Sequence, residues 1–239
     1  KIPENAESWE KNYSDAKTGV ADTLTEFDRL EEAEAIYRDV LRRDHARWGN
    51  DHLQVGETSS RLGANLLFQE KFVEAERLLR KTIDIFTVQL DADHPKTGVS
   101  LANLAALYYF TGEKEKVRFY LKQSIAPYRK NFGNKHPELA SLLNNLGRLE
   151  LEVSALEQAK IYLSESVSID RSLGRDKHDD LVYSLNNLAL AEGALGNEGQ
   201  AAALFDEGIT LARETNHRML GPMILHRADL NCRLGQLDD

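Results

Sequence analysis

The strongest constraint on the fold is a histidine that returns at a constant interval along the chain. Its copies are 42 residues apart, at His52, His94, His136 and His178. A leucine followed by a small residue keeps the same interval, at 62–63, 104–105, 146–147 and 188–189. A period between about 20 and 50 residues indicates stacked copies of one supersecondary unit. We therefore expect the 239 residues to fold as consecutive copies of such a unit.

Each unit reads as two helices, and the unit that begins near residue 94 illustrates the pattern. Pro95 suits the first position of a helix, where a missing N–H costs nothing. Apolar residues then recur at helical spacing up to Gly112, which suits the left-handed residue after a helix. A second helix follows, with Val117 and Leu121 on one face. The small residue Ala105 is expected where the two helices cross, since a larger one would force the axes apart.

The paired Leu-Gly or Leu-Ala, with Ala or Val twelve residues later, resembles the tetratricopeptide repeat (TPR). The usual repeat has about 34 residues. The 42-residue unit, with "DHP" at 93–95 and "LNNLA" at 185–189, is similar to the kinesin light chain subtype. The resemblance implies an all-α fold. It would be a right-handed superhelical solenoid of antiparallel helix pairs, with about five pairs and one further helix.

The repeat register predicts the helix boundaries and the domain organisation. First helices are expected at roughly 9–26, 53–68, 95–110, 137–152, 179–194 and 219–234. Second helices are expected at roughly 30–47, 72–89, 114–131, 156–173 and 198–214. We predict one solenoid domain over residues 1–239, with repeats at roughly 9–48, 52–90, 94–132, 136–174, 178–215 and a partial repeat at 218–239. Since the last helix lacks a second helix, we expect a fragment of a longer protein that continues past Asp239.

The histidines themselves fit either a metal site or the starts of helices. A zinc ion needs its nitrogen ligands within about 2.1 Å, whereas neighbouring repeats stack about 8–10 Å apart. One histidine in each repeat therefore cannot share an ion. The interpretation that fits is an Asp/Asn-x-His-Pro helix entry, with a polar side chain near the cap and proline at the first position.

Composition and motifs exclude several classes of function. The net charge of -9 disfavours nucleic acid and anionic lipid as partners, because both are bound through Lys and Arg. The single cysteine, Cys232, permits no intrachain disulfide and fits a reducing compartment, so we predict a cytoplasmic protein. No phosphate loop, GxGxxG, HExxH, CxxC or GxSxG is present. We predict a protein that is not an enzyme and has no cofactor or metal.

A row of asparagines is the most specific candidate for a binding site. Asn103, Asn145 and Asn187 keep the 42-residue interval, and Asn144 and Asn186 precede the last two. Asparagine is a weak helix former, so its return inside the helices needs a reason. The resemblance implies that these residues face the concave groove and hold the main chain of a bound peptide. The alternative is that they hydrogen-bond between neighbouring helices and only stabilise the stack.

Charged and aromatic residues complete the predicted peptide-binding surface. Arg61 and Arg148 suit acidic groups of a ligand, although each suits an intramolecular ion pair as well. Tyr183 is expected on the same concave face. Tyr109, with Phe68 and Phe110, fits either an anchor pocket or the core between repeats.

The function expected from the sequence is non-enzymatic binding of a protein or peptide partner in an extended conformation. An alternative is a sensor or regulatory TPR region that gates a domain outside this chain, in a larger enzyme or transcription regulator. Self-association through the terminal repeats is a further possibility, because a solenoid leaves its end faces unpaired.

Overall fold

The chain folds into α-helices over the residues that the computed structural model describes, 4–174 and 178–233. These ranges hold eleven helices and no strand. The helices are α1 (Glu4–Glu26), α2 (Leu30–Trp48), α3 (Leu53–Phe68), α4 (Phe72–Gln89), α5 (Pro95–Phe110), α6 (Lys114–Phe132), α7 (Pro137–Glu152), α8 (Leu156–Leu173), α9 (His178–Ala194), α10 (Glu198–Glu214) and α11 (Leu220–Arg233). The predicted helix pairs are thereby confirmed, and α1 begins at Glu4, earlier than the expected residue 9.

The helices form two compact units, residues 1–127 (unit 1) and 128–239 (unit 2), and α6 crosses the division. Consecutive helices pack against each other from α1 to α5 in unit 1 and from α7 to α11 in unit 2, and α1, α3 and α5 also contact one another in sequence, as α7, α9 and α11 do. None of the described helices is long and apolar enough to cross a membrane. The single solenoid domain over residues 1–239 stays a prediction.

Histidine side chains cap the first helices. Nδ1 of His52, His94 and His136 accepts a hydrogen bond from the backbone N–H two residues later, at 3.2, 3.1 and 3.3 Å. Each bond satisfies one of the donors that a helix start leaves unpaired. His217 makes the same bond to Met219, at 3.1 Å, ahead of α11. The helix-entry interpretation is confirmed at the first three histidines, and the side chain of His178 lies outside the described residues.

The small residue of each repeat lies where its two helices meet. A Cβ atom on Gly147 would lie 2.5 Å from Cγ of Leu163 and 3.3 Å from the carbonyl oxygen of Ala159. A Cβ on Gly63 would lie 3.0 Å from Leu79 at the equivalent place. Leu163 and Leu79 are fully buried. The close approach predicted from the Leu-Gly pairs is therefore present in both units.

A buried carboxylate joins three helices of unit 1. Asp44 on α2 is 1% exposed and accepts hydrogen bonds from Ser14 on α1 and Thr58 on α3, both at 2.7 Å. Burial raises the pKa of the Asp44 carboxyl, and the hydroxyl donors of Thr58 and Ser14 partly oppose this rise. In unit 2, Asp170 accepts a 2.7 Å bond from Ser184 in the same register.

Ion pairs between second helices repeat in register on unit 2. Nη2 of Arg129 on α6 lies 2.7 Å from Oε2 of Glu165 on α8. One repeat later, Nη2 of Arg171 on α8 lies 2.6 Å from Oε2 of Glu207 on α10. In each pair the acid follows the arginine by 36 residues. The pairs are about half exposed, so each contributes less than about 1 kcal/mol to stability.

Candidate functional site

An open groove of about 480 Å³ lies on unit 2 between α7 and α9, with Asp170 of α8 and Met219, which directly precedes α11, also in its lining. Its walls carry five of the nine predicted site residues, namely Asn144, Asn145, Arg148, Tyr183 and Asn187. They lie together because α7 and α9 are first helices of successive repeats, so residues one repeat apart lie side by side. The groove also contains Ser141, Asp170, Asp180 and Ser184.

The asparagines of the groove are tied into a chain of side-chain hydrogen bonds. Nδ2 of Asn187 donates to Oδ1 of Asn144 across the two helices, at 2.9 Å. Nδ2 of Asn186 donates to Oδ1 of Asn187, at 3.3 Å. Oδ1 of Asn186 lies 2.9 Å from Nδ1 of His226 on α11. Because an amide oxygen only accepts, this last contact needs the proton on Nδ1 of His226.

Asn145 differs from the other asparagines in this groove. It is exposed, and its amide makes no hydrogen bond with any described residue. An asparagine amide carries two donors and an acceptor, so Asn145 offers a complete set to a ligand. Asn186, in contrast, is 3% exposed and faces His226 rather than the groove.

Arg148 and Tyr183, on the walls of the groove, have partners within unit 2. Nη1 of Arg148 donates to Oε1 of Glu152, one helical turn away, at 3.0 Å. The guanidinium of Arg218 lies over the ring of Tyr183, 5.3 Å from its centroid, and Nε of Arg218 donates to the Tyr183 hydroxyl. The His217 ring meets the Tyr183 ring edge-on at 5.0 Å. Tyr183 is therefore held in place at one end of the groove.

Comparison with models of known protein families identifies the family of the repeat. A model of the tetratricopeptide repeat matches residues 12–87, 54–130 and 138–214. The chain belongs to the tetratricopeptide repeat family. Among curated protein sequences, none matches the chain significantly.

Solved TPR structures share the fold at low sequence identity. One is the putative kinesin light chain of Podosopora anserina with nearly identical TPR-like repeats, at 20% identity and TM-score 0.72, covering 86% of this chain and 97% of that one. A Signal Transduction ATPase with Numerous Domains from Pyrococcus horikoshii, which has a TPR sensor, is 16% identical with a TM-score of 0.76. The match covers 91% of this chain and 32% of that one. A Rap protein complexed with Competence and Sporulation Factor is 14% identical with a TM-score of 0.60. The match covers 95% of this chain and 72% of that one. These likenesses show the TPR fold, and the structures that share it include a putative kinesin light chain.

The remaining predicted site residues on first helices lie on unit 1. Asn103 on α5 is half-buried, and its side chain has no hydrogen bond with any described residue. Arg61 donates from Nε to Oδ2 of Asp22, at 3.2 Å. Tyr109 is 39% exposed and meets Phe110 edge-on at 6.2 Å. Phe68 and Phe110 are 62% and 58% exposed, so neither side chain is buried in the core, and a role as an anchor pocket stays a prediction.

Three residues near the groove were missed by the TPR pattern. Asp170 lies in it because Ser184 holds its carboxylate at 2.7 Å. Its register partner Asp44 lies three repeats earlier, but Phe86 and Tyr128 interrupt the series. Arg218 lies beyond the segment where the repeat shortens, so the constant interval did not reach it. Asp180, in the first turn of α9, also lines the groove.

Metal ligands are not clustered in the part of the chain that the structure describes. No group of three His, Cys, Asp or Glu side chains in these ranges is arranged to hold an ion. Cys232 is exposed. What the groove offers to a ligand is hydrogen bonds, charged groups and aromatic rings.

Proposed function

We propose that the groove of unit 2 binds an extended segment of a partner protein through its main chain. Asn145 carries this proposal, because it is an exposed amide without an intramolecular partner among the described residues, on the wall of the groove. A peptide N–H and C=O match the acceptor and the donors of one asparagine side chain. The Rap protein, whose fold is similar, is complexed with Competence and Sporulation Factor, which supports a partner-binding role for this fold.

The spacing of the helices suits a ligand in an extended conformation. Neighbouring packed helices lie about 8–10 Å apart, and an extended chain advances about 3.3 Å for each residue. Asn145 and Asn187 would therefore meet main-chain groups about three residues apart. Asn187 already donates to Asn144 and accepts from Asn186, so it keeps one N–H and one lone pair for a ligand, whereas Asn145 offers its full set of donors and acceptors.

The asparagines should separate into a binding class and a structural class. We expect Asn145→Ala to weaken peptide binding by about 1–3 kcal/mol, as for a lost buried hydrogen bond, and to leave the melting temperature unchanged. Asn186→Leu should lower the melting temperature, because it breaks the contact with His226. Asn187→Ala should do both.

The experiment uses peptides selected from a displayed library of random sequences of about 12 residues. Affinities of the selected peptides are measured by fluorescence anisotropy on the unaltered protein and on each variant. Asn134→Ala is the matched control, since Asn134 is also exposed on unit 2 but lies outside the groove. Selected peptides that bind the Asn145→Ala variant as tightly as the unaltered protein would disprove the proposal.

A second function, sensing for a larger regulatory protein, is favoured by the likeness to the Pyrococcus ATPase. This chain covers 32% of that protein, whose TPR part is a sensor. In that case peptide binding in the groove would change the activity of a flanking domain. Assay of the full-length protein with and without a selected peptide tests this, and an unchanged activity counts against it.

A further inference from the structure

Three phenylalanines are exposed where the first helices of unit 1 end. Phe27 directly follows α1, Phe68 ends α3 and Phe110 ends α5. Their exposed fractions are 74%, 62% and 58%. We call this surface, with the turns at 26–32, 68–74 and 110–116, the phenylalanine edge. Scattered exposed apolar residues are ordinary, but several large ones on one edge indicate an interaction site.

Local contacts hold the phenylalanine edge together. Nδ2 of Asn65 donates to Oγ1 of Thr25, at 3.2 Å, which ties the end of α3 to the end of α1. Nε2 of Gln69 donates to the carbonyl oxygen of Leu30, at 3.4 Å. The Phe72 ring stacks on the Phe110 ring with their centroids 6.1 Å apart, which links the start of α4 to the end of α5. The three helix ends therefore form one continuous surface.

Acidic side chains surround these rings. The three turns contain eight acidic and four basic residues. Three of the basic side chains form ion pairs with acids of the same chain, in the pairs Arg29–Glu32, Lys71–Glu34 and Lys116–Glu113. Four exposed carboxylates, in contrast, form no ion pair with any described residue, at Glu26, Asp28, Glu31 and Glu70. The edge thus combines exposed rings with unneutralised negative charge.

Two of these acids occupy a backbone conformation that favours glycine. Asp28 and Glu70 both have φ 59°, and the equivalent turn positions of later repeats hold Gly112, Ser154 and Gly196, with φ 79°, 59° and 79°. The left-handed conformation is costly for a residue with a side chain. Asp28 and Glu70 therefore lower the stability of unit 1 relative to glycine at these two positions.

The repeat fold itself does not need the phenylalanines. In unit 2 the register positions of Phe68 and Phe110 hold Glu152 and Ala194. Both repeats there form the same helix pairs. The rings are thus a property of unit 1 rather than of the repeat.

From these observations we propose that the phenylalanine edge docks a basic amphipathic segment of a partner protein. Apolar side chains of the segment would pack on the phenylalanine rings, and its Lys or Arg side chains would face the four unneutralised carboxylates. A second copy of this chain, with net charge -9, would bring two acidic edges together. An anionic membrane would be repelled in the same way.

Two synthetic peptides test the stated chemistry. Each is a helix of about 18 residues with leucine at i, i+3, i+4 and i+7. One carries lysine at the other positions and the second carries glutamate. We expect the lysine peptide to bind the unaltered protein, more weakly as salt rises, and the glutamate peptide to bind at least about tenfold more weakly.

Variants of the edge separate the rings from the charge. Phe68→Ala with Phe110→Ala removes two rings but no charge, and we expect affinity for the lysine peptide to fall at least about tenfold. The matched control is Phe119→Ala, because Phe119 is 54% exposed on a second helix of unit 1. That control should bind like the unaltered protein. Binding by charge alone would leave the double variant unaffected, and that result would count against the proposal.

Glu70→Gly gives a readout that damage to the fold cannot mimic. Relief of the left-handed strain should raise the melting temperature by about 2–4 °C. Loss of one carboxylate should at the same time weaken binding of the lysine peptide. A more stable variant that binds less would support the proposal, and unchanged binding would count against it.

Three further results would overturn the proposal. The first is equal binding of the lysine and glutamate peptides. The second is equal loss in the Phe119→Ala control and the Phe68→Ala, Phe110→Ala double variant. The third is a concentration-dependent dimer in light scattering that the double variant abolishes, since the edge would then be a contact between two copies of the chain.

Discussion

Gly147→Leu is expected to unfold unit 2 or lower its free energy of unfolding by about 4 kcal/mol or more. A Cβ at residue 147 would lie 2.5 Å from Cγ of Leu163, and real Cβ atoms do not approach so closely. The branch point of Leu163 is fully buried and has no space to move into. The axes of α7 and α8 must separate, which overpacks or opens the core around them. Urea denaturation followed by circular dichroism measures the loss.

Two other glycines serve as controls for this prediction. A Cβ added to Gly199 on α10 would have no atom within 4 Å, so Gly199→Leu should be tolerated. A Cβ on Gly208 would lie 2.2 Å from Cε of Met223, but that atom is the flexible end of a side chain. Gly208→Ala should therefore cost less than Gly147→Ala, for which we expect about 1–3 kcal/mol. The reverse order would mean that the α7–α8 contact is soft.

Removal of both donors to the Asp44 carboxylate should lower the stability of unit 1 by about 3–5 kcal/mol at pH 7. Ser14→Ala with Thr58→Val deletes the two 2.7 Å bonds and leaves a carboxylate that is 1% exposed without its hydroxyl partners. Thr58→Val alone should cost about 1.5–3 kcal/mol, as for a hydrogen bond to a charged group. Thr82→Val is the control, because its buried hydroxyl bonds a backbone oxygen at a long 3.4 Å.

The pH dependence of this loss has a definite sign. Burial raises the pKa of Asp44 in the folded protein, so the folded state holds this proton more tightly than the unfolded state. The contribution of Asp44 is most favourable below the ordinary aspartate pKa of about 3.9 and is lost as pH rises through the folded pKa. Removal of the donors raises that pKa further. The double variant should therefore differ least from the unaltered protein near pH 3 and most near pH 7; a pH-independent difference would disprove this.

The helices were predictable from the sequence because one interval fixes them repeatedly. The second helices begin at residues 30, 72, 114, 156 and 198, as the register predicts. The histidine caps were predictable for the same reason, with proline marking the first helical position in two of the described cases. His217 was not predicted as a cap, because it follows His178 by fewer residues than the 42-residue interval. A periodic signal thus identifies what every repeat shares.

The individual features of the groove were harder to predict. Asn144, Asn145, Asn186 and Asn187 look alike in sequence, yet one is exposed and another is 3% exposed. The partner of the buried Asn186 is His226, a residue 40 positions away. The ion pair of Arg148 with Glu152 was easier to predict from the sequence, because the two residues lie one helical turn apart. A contact between distant positions that occurs only once in the chain produces no periodic pattern in the sequence.

The ion pairs of the second helices make the number of repeats easy to change during evolution. In Arg129–Glu165 and Arg171–Glu207, each arginine meets an acid 36 residues ahead. Duplication of one 42-residue unit would place an arginine and a glutamate at the new junction in that same relation. Deletion of one unit would join Arg129 to the glutamate of the following repeat. A gene for such a chain can lengthen or shorten by whole units without inventing a sequence for the junction.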